Sequence, residues 1–194
     1  MLTTITDLGD AALLLPASLA LALYLWVRGS ARSAGSFAAT ILACVALTVL
    51  SKVGFRDCGV DAALLDLRSP SGHVALSTTF YFCAALLLTA DAARPLRFIA
   101  LAAATLLLAL IAASRVALQA HTLLEVATGL LIGTCCLAGF ILGAPRPPVV
   151  KTRWRLSIAL FAALAVITHG QHLNAEELLQ QIALHLRHAA GVCG

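Results

Sequence analysis

An all-α, polytopic membrane helix bundle is the architecture this chain predicts, and three observations predict it. The sequence is 61% hydrophobic and 11% charged, with a mean hydropathy of +0.96, far outside the range of soluble domains. Its apolar residues fall in separate, nearly charge-free stretches close to the length needed to cross a bilayer. Its charged residues gather in the short segments between those stretches. At 194 residues a single domain spanning residues 1–194 is expected. The net charge of +4 is modest and spread over loops, so no nucleic-acid partner is expected. The bilayer is the expected surroundings.

The elements follow in order. Residues 1–10 carry Asp7 and Asp10 and no basic residue, unlike a secretory signal. Residues 11–27 form the first span, with Pro16 as a candidate kink. Arg28 and Arg32 lie in a short loop, and residues 36–53 form the second span with Lys52 at its end. A polar loop is expected over residues 56–68, then a third span over 74–90. Asp91, Arg94, Pro95 and Arg97 form the next loop. The fourth span, 98–113, ends at a Ser114-Arg115 corner, and the fifth covers 122–142. A basic, proline-stiffened loop leads to a sixth span over 156–168, with Trp154 as an interface anchor. About six membrane helices result. Residues 173–190 read as an amphipathic surface helix: Asn174 and Glu177 make a capping box, and Leu178, Ile182 and Leu186 share one side.

Basic residues orient the bundle. The loops after spans one, three and five hold Arg28, Arg32, Arg94, Arg97, Arg146, Lys151, Arg153 and Arg155; the others mix basic residues with Asp57, Asp61, Asp66 and Glu125. The first set is therefore expected in the cytoplasm, with both termini outside it. In a bacterium this means the inner membrane and a periplasmic face. Of the six cysteines, Cys44, Cys83, Cys135 and Cys136 lie inside apolar spans. Cys58 and Cys193 are expected to be exposed on one face, where a disulfide between them is conceivable. No Cys-x-x-Cys pair supports a zinc ribbon or redox motif. The pairs His169/His172 and His185/His188 read as interfacial residues rather than a metal site.

Two stretches carry chemistry. In Ser114-Arg115-Val116-Ala117-Leu118-Gln119-Ala120-His121-Thr122-Leu123-Leu124-Glu125, a helix beyond Thr122 puts His121 and Glu125 on one side, four residues apart. A carboxylate there fixes the imidazole tautomer and leaves the other nitrogen as a nucleophile or base. Arg115 offers a planar fork suited to phosphate oxygens. The plainer reading is a buried Arg–Glu pair with a helix-end histidine. The second stretch is Ser69-Pro70-Ser71-Gly72-His73. Ser69 reads as an N-cap and Pro70 as the first helical residue. Ser71 and Gly72 then fall in the first turn, whose free N–H groups make an anion site. His73 stands beside it as a proton donor; a capped helix with an incidental histidine is the plainer alternative.

Together these stretches resemble the type 2 phosphatidic acid phosphatase and vanadium haloperoxidase superfamily, over residues 51–133. Pro70-Ser71-Gly72-His73 is intact. Ser114-Arg115, five residues, His121, three residues and Glu125 matches the last motif, with Glu for the usual Asp. The first motif keeps Lys52 but has Gly59, and no Arg-Pro, where an arginine is usual. The resemblance implies a metal-free, cofactor-free lipid phosphatase. His121 attacks phosphorus, Glu125 orients it, and His73 protonates the leaving oxygen. Lys52, Arg115, Ser71 and the Gly72 backbone hold phosphoryl oxygens. Arg56, four residues after Lys52, or Arg68 replaces the missing arginine. The implied partner is a membrane lipid phosphate; the sequence does not select which one, nor an oligomeric state. A non-catalytic anionic-lipid-binding protein and a small transporter with charges lining its path are the rival classes.

Overall fold

The computed structural model describes residues 2–28, 30–57 and 69–143, all side chains included except those of residues 53 and 55–57. The sixth span, the amphipathic tail, the four tail histidines, Arg68 and the Cys58–Cys193 pair lie outside the described residues. Among the described residues six helices run in order: α1 (Leu2–Asp7), α2 (Ala11–Val27), α3 (Ala31–Asp57), α4 (Gly72–Leu88), α5 (Arg94–Ala117) and α6 (Leu123–Gly143). Leu2–Val27, Ala31–Lys52, Arg94–Ala117 and Leu123–Gly143 are long and apolar enough to cross a membrane. α4, with 17 residues, rises only about 25 Å.

α4 is the centre of the bundle, packed against α2, α3, α5 and α6. Every residue from Val74 to Phe80 is buried, as expected of a helix surrounded on all sides. Leu14, Phe37, Ile41, Leu76, Phe80 and Phe140 form the main core around it. Phe37 and Phe80 pack tilted with ring centroids 6.3 Å apart. Buried hydroxyls bond within the helix: Thr78 donates to the Val74 carbonyl at 2.7 Å and Thr79 to Ala75 at 3.0 Å. The outer surface is the converse. Leu42, Phe98, Ile99, Leu106 and Leu131 are each more than 60% exposed. So wide an apolar surface belongs in lipid, and the chain is an integral membrane protein.

Gly129 and Gly133 on α6 let it approach α4 closely. A Cβ at Gly129 would stand 2.5 Å from the Ser71 carbonyl oxygen, and one at Gly133 2.6 Å from the Ala75 carbonyl oxygen. This is the small-xxx-small contact of membrane helices, in which the α6 backbone lies directly against the Ser71 and Ala75 backbone and the Thr78 side chain.

Several boundaries depart from the sequence reading. α3 starts at Ala31 and α5 at Arg94, so Arg32, Arg94, Pro95 and Arg97 are helical rather than in loops; proline fits the first turn of a helix, whose N–H groups lack intrahelical partners anyway. α3 continues to Asp57, so Arg56 is helical rather than in a loop. α4 begins at Gly72 with Ser71 as its N-cap residue, two positions after the Ser69 cap expected. The Ser69 and Ser71 amides are both taken by Glu125 (2.9 Å each), which holds this segment out of the helix; the following proline also disfavours helical backbone at Ser69. α5 runs through Ser114-Arg115 to Ala117, so the corner lies one turn later. α1 was not expected. It ends one short turn before α2, whose N-cap Asp10 accepts from the Ala12 N–H at 2.7 Å.

Candidate active site

The corner between α5 and α6 is built to present His121. Beyond C-cap Leu118, the Gln119 N–H bonds the Val116 carbonyl at 2.9 Å and the Ala120 N–H bonds Arg115 at 3.0 Å. Gln119 takes φ 54°. This is the Schellman closure, with glutamine in the left-handed position glycine usually fills. It reverses the chain so that the His121 N–H returns to the Arg115 carbonyl at 3.3 Å. Thr122 then starts α6: its Oγ1 accepts from the Glu125 N–H at 3.3 Å, and Glu125 Oε2 accepts from the Thr122 N–H at 3.2 Å. That reciprocal pair is a capping box.

Glu125 joins the two motifs. Its Oε2 also meets His121 Nδ1 at 2.8 Å, Oε1 accepts from the Ser69 N–H at 2.9 Å, and its backbone carbonyl accepts from the Ser71 N–H at 2.9 Å. The extra methylene of Glu relative to Asp is accommodated by folding the side chain back over the first turn. With the carboxylate ionised, Nδ1 must carry the proton, leaving a lone pair on Nε2. The His121 and Glu125 side chains are each 7% exposed. Burial pushes the His121 pKa below its ordinary 6.5. The Glu125 hydrogen bond opposes this, and the charges of Arg115 and Lys52 add to it.

The remaining expected residues gather at the same end of the bundle. Ser71 and Gly72 open α4, and His73 follows in its first turn. The Ser71 hydroxyl is fully buried and has no hydrogen-bond partner among the described residues. A Cβ at Gly72 would meet only Thr48, at an ordinary 3.6 Å, so packing does not demand glycine there. Lys52 lies in the last part of α3 and Arg115 in the last turn of α5. Arg56 stands four residues beyond Lys52 on α3, with its side chain outside the described residues. Among the described residues, no three His, Cys, Asp or Glu side chains gather as a metal-ligand set.

Two neighbours of the site went unread in the sequence. Arg115 Nη1 donates to Thr6 Oγ1 at 3.3 Å, and His73 Nε2 lies 3.5 Å from Asp10 Oδ2. An aspartate before an apolar run signals an N-cap, but nothing local ties it to a histidine 63 positions on.

No solved structure matches the chain. An uncharacterised 22.5 kDa protein in the cps region of Klebsiella pneumoniae is 32% identical over 184 residues, covering 92% of this chain and 88% of that protein. The family model of the PAP2 superfamily matches residues 55–146. That stretch contains Pro70-Ser71-Gly72-His73 and the Ser114–Glu125 motif, whose residues the fold brings together at Glu125, and the chain belongs to the PAP2 superfamily.

Proposed function

We propose that this phosphatase-family membrane protein is a lipid phosphatase, removing phosphate from a phosphomonoester or pyrophosphate of a membrane lipid through a phosphohistidine. The observation that carries the reading is the 2.8 Å contact of His121 Nδ1 with Glu125, held by a carboxylate that also binds the amide of Ser69. Such a pair leaves Nε2 as a neutral nucleophile, and burial favours that neutral state.

In the first step the Nε2 lone pair of His121 attacks phosphorus and the bond to the lipid oxygen breaks. His73 gives its proton to that oxygen. In the second step water attacks phosphorus, its proton passes to His73, and the P–N electron pair returns to Nε2. Glu125 steadies the positive charge on His121 while the P–N bond exists. Lys52, Arg115 and the Gly72 and His73 amides hold the equatorial oxygens, where charge builds. The buried Ser71 hydroxyl, without a partner among the described residues, supports a phosphoryl oxygen as its acceptor. Arg56 is favoured over Arg68 as the substitute arginine, because α3 carries it one turn beyond Lys52.

The site lies at helix ends, at headgroup depth, which suits amphiphilic substrates: phosphatidate, phosphatidylglycerophosphate, an isoprenyl phosphate or pyrophosphate, or a glycolipid phosphate. By the positive-inside rule, Arg28, Arg32, Arg94 and Arg97 support a site on the periplasmic face of a bacterial inner membrane, with both termini outside the cytoplasm.

The test is phosphate release from a panel of these lipids by purified protein in detergent. His121→Ala and His73→Ala should each remove nearly all turnover, and His121→Ala should abolish acid-labile protein phosphorylation. Tight lipid-phosphate binding without release would support a lipid-binding protein instead.

A further inference from the structure

The N-terminal segment reaches both motifs. Tyr81 of α4 donates its hydroxyl to the Leu8 carbonyl at 2.7 Å. Gly9 is wedged so tightly that a Cβ would stand 2.9 Å from Ile111 Cγ2 on α5 and 3.0 Å from Ser77 Oγ on α4. Thr6 meets Arg115, and Asp10 meets His73. A segment held this firmly presents its side chains in fixed positions. The Asp10 side chain is 11% exposed, and both its oxygens are engaged: Oδ1 caps α2 through the Ala12 N–H, and Oδ2 faces the imidazole.

We propose that Asp10 is the positioning residue for His73, an assignment that rests on the phosphatase reading above. A carboxylate oxygen 3.5 Å from Nε2 favours a proton on that nitrogen and restrains the ring electrostatically. The second proton, on Nδ1 of the imidazolium, is then the one given to the leaving lipid oxygen, which leaves His73 neutral with its Nε2 proton still facing Asp10. His73 and His121 thus each have a carboxylate on one ring nitrogen and the reaction on the other. Glu125 serves the nucleophile from α6, and Asp10 serves the acid from the start of α2. The cap on α2 explains why an aspartate can be held so rigidly there, and the engagement of Oδ2 explains why serine or asparagine would not serve equally.

Asp10→Ser and Asp10→Asn both retain an N-cap side chain, so α2 still starts correctly. Serine falls short of His73, and asparagine can present a donor where the carboxylate accepts. The full chain in detergent is assayed on a short-chain phosphatidate, whose alkoxide leaves only with a proton, and on p-nitrophenyl phosphate, whose phenolate leaves without one. Both variants should lose about 10- to 100-fold in kcat on phosphatidate and far less on p-nitrophenyl phosphate. The same selectivity is expected of His73→Ala, and adding Asp10→Ser to His73→Ala should produce little further loss. Equal losses on both substrates, or losses that add in the double variant, would overturn the assignment.

A second readout does not need turnover. In 15N-histidine spectra, the His73 resonances, identified by their loss in His73→Ala, should report a proton on Nε2 in the wild type and a shift in Asp10→Ser. Identical His73 signals in the two proteins would refute the pairing. A wild type inactive on every lipid would refute the phosphatase reading alone, with the spectra still deciding Asp10.

Discussion

Gly129→Ala tests whether the close approach of α6 to α4 sets the geometry of the site. A Cβ at Gly129 would fall 2.5 Å from the Ser71 carbonyl oxygen and 3.2 Å from Ser71 C and N. All three are backbone atoms, so no side chain can rotate away. Ordinary contact begins near 3.4 Å, and restoring it requires the helices to part by 3.4 − 2.5 = 0.9 Å at this point. Ser71 is the residue whose amide bonds the Glu125 carbonyl at 2.9 Å. The displacement therefore moves the start of α4, with Gly72 and His73, away from the His121–Glu125 pair. A misplacement of about 1 Å in reacting groups is worth about 100-fold in rate, and overpacking of this kind destabilises by about 1–3 kcal/mol. The comparison is Gly139→Ala, which meets nothing within 4 Å. Expected outcomes are a loss of about 100-fold in kcat for Gly129→Ala and wild-type rates for Gly139→Ala. Steady-state rates on a lipid phosphate and thermal melts in detergent measure both quantities. A folded Gly129→Ala protein with undiminished kcat would show that the contact does not set the catalytic geometry.

The remaining predictions concern the corner that presents His121. Glu125→Gln should lower kcat on the order of 10³-fold or more, by analogy with amide replacement of a histidine-orienting carboxylate, whereas Glu125→Asp retains the charge and should lose less; equal rates for Gln and wild type would remove the orienting role. Burial holds His121 below 6.5, so the acidic limb of kcat/KM should lie below pH 6.5 and move lower still in Glu125→Gln, where the contribution raising the pKa is gone. The stability effect has the same sign: above pH 6.5 this group binds no proton in either state, and below it the unfolded chain protonates first, so melting temperature should fall as pH drops through that region. Thr122→Ala removes the hydroxyl half of the capping box and should destabilise by about 1 kcal/mol in denaturation in detergent. Gln119→Gly relieves a left-handed residue and should stabilise by about 0.5–1 kcal/mol, while Gln119→Val should do the reverse.

Much of the site was legible locally. The four-residue spacing of His121 and Glu125 places them together whatever the rest of the chain does, and the structure has them 2.8 Å apart. Other local signals were present but unread. Thr122-Leu123-Leu124-Glu125 spells the capping box, and Gly129-Leu130-Leu131-Ile132-Gly133 spells a close helix contact. The start of α4 was misplaced by two residues because the groups that hold Ser69 and Ser71 out of the helix come from Glu125, more than fifty residues away.

The sequence by itself determined the class of the protein, the sites of most helices and the membership of the motif residues. Hydropathy, helix period and spacing are properties of neighbouring residues, and they survive without a tertiary structure. Tertiary structure alone decided which helix is central, which surfaces face lipid, and that α1 and Asp10 stand at the site. The reason lies in the solvent. In water, an apolar stripe marks the buried side of a helix, but a bilayer welcomes apolar residues on every side. α4 and α5 are both strongly apolar in sequence, yet the first is enclosed and most of the second is exposed. Inside and outside are separated by close backbone approach and by the placement of a few polar groups. Pairings such as Asp10 with His73 and Thr6 with Arg115 exist only once the helices have packed.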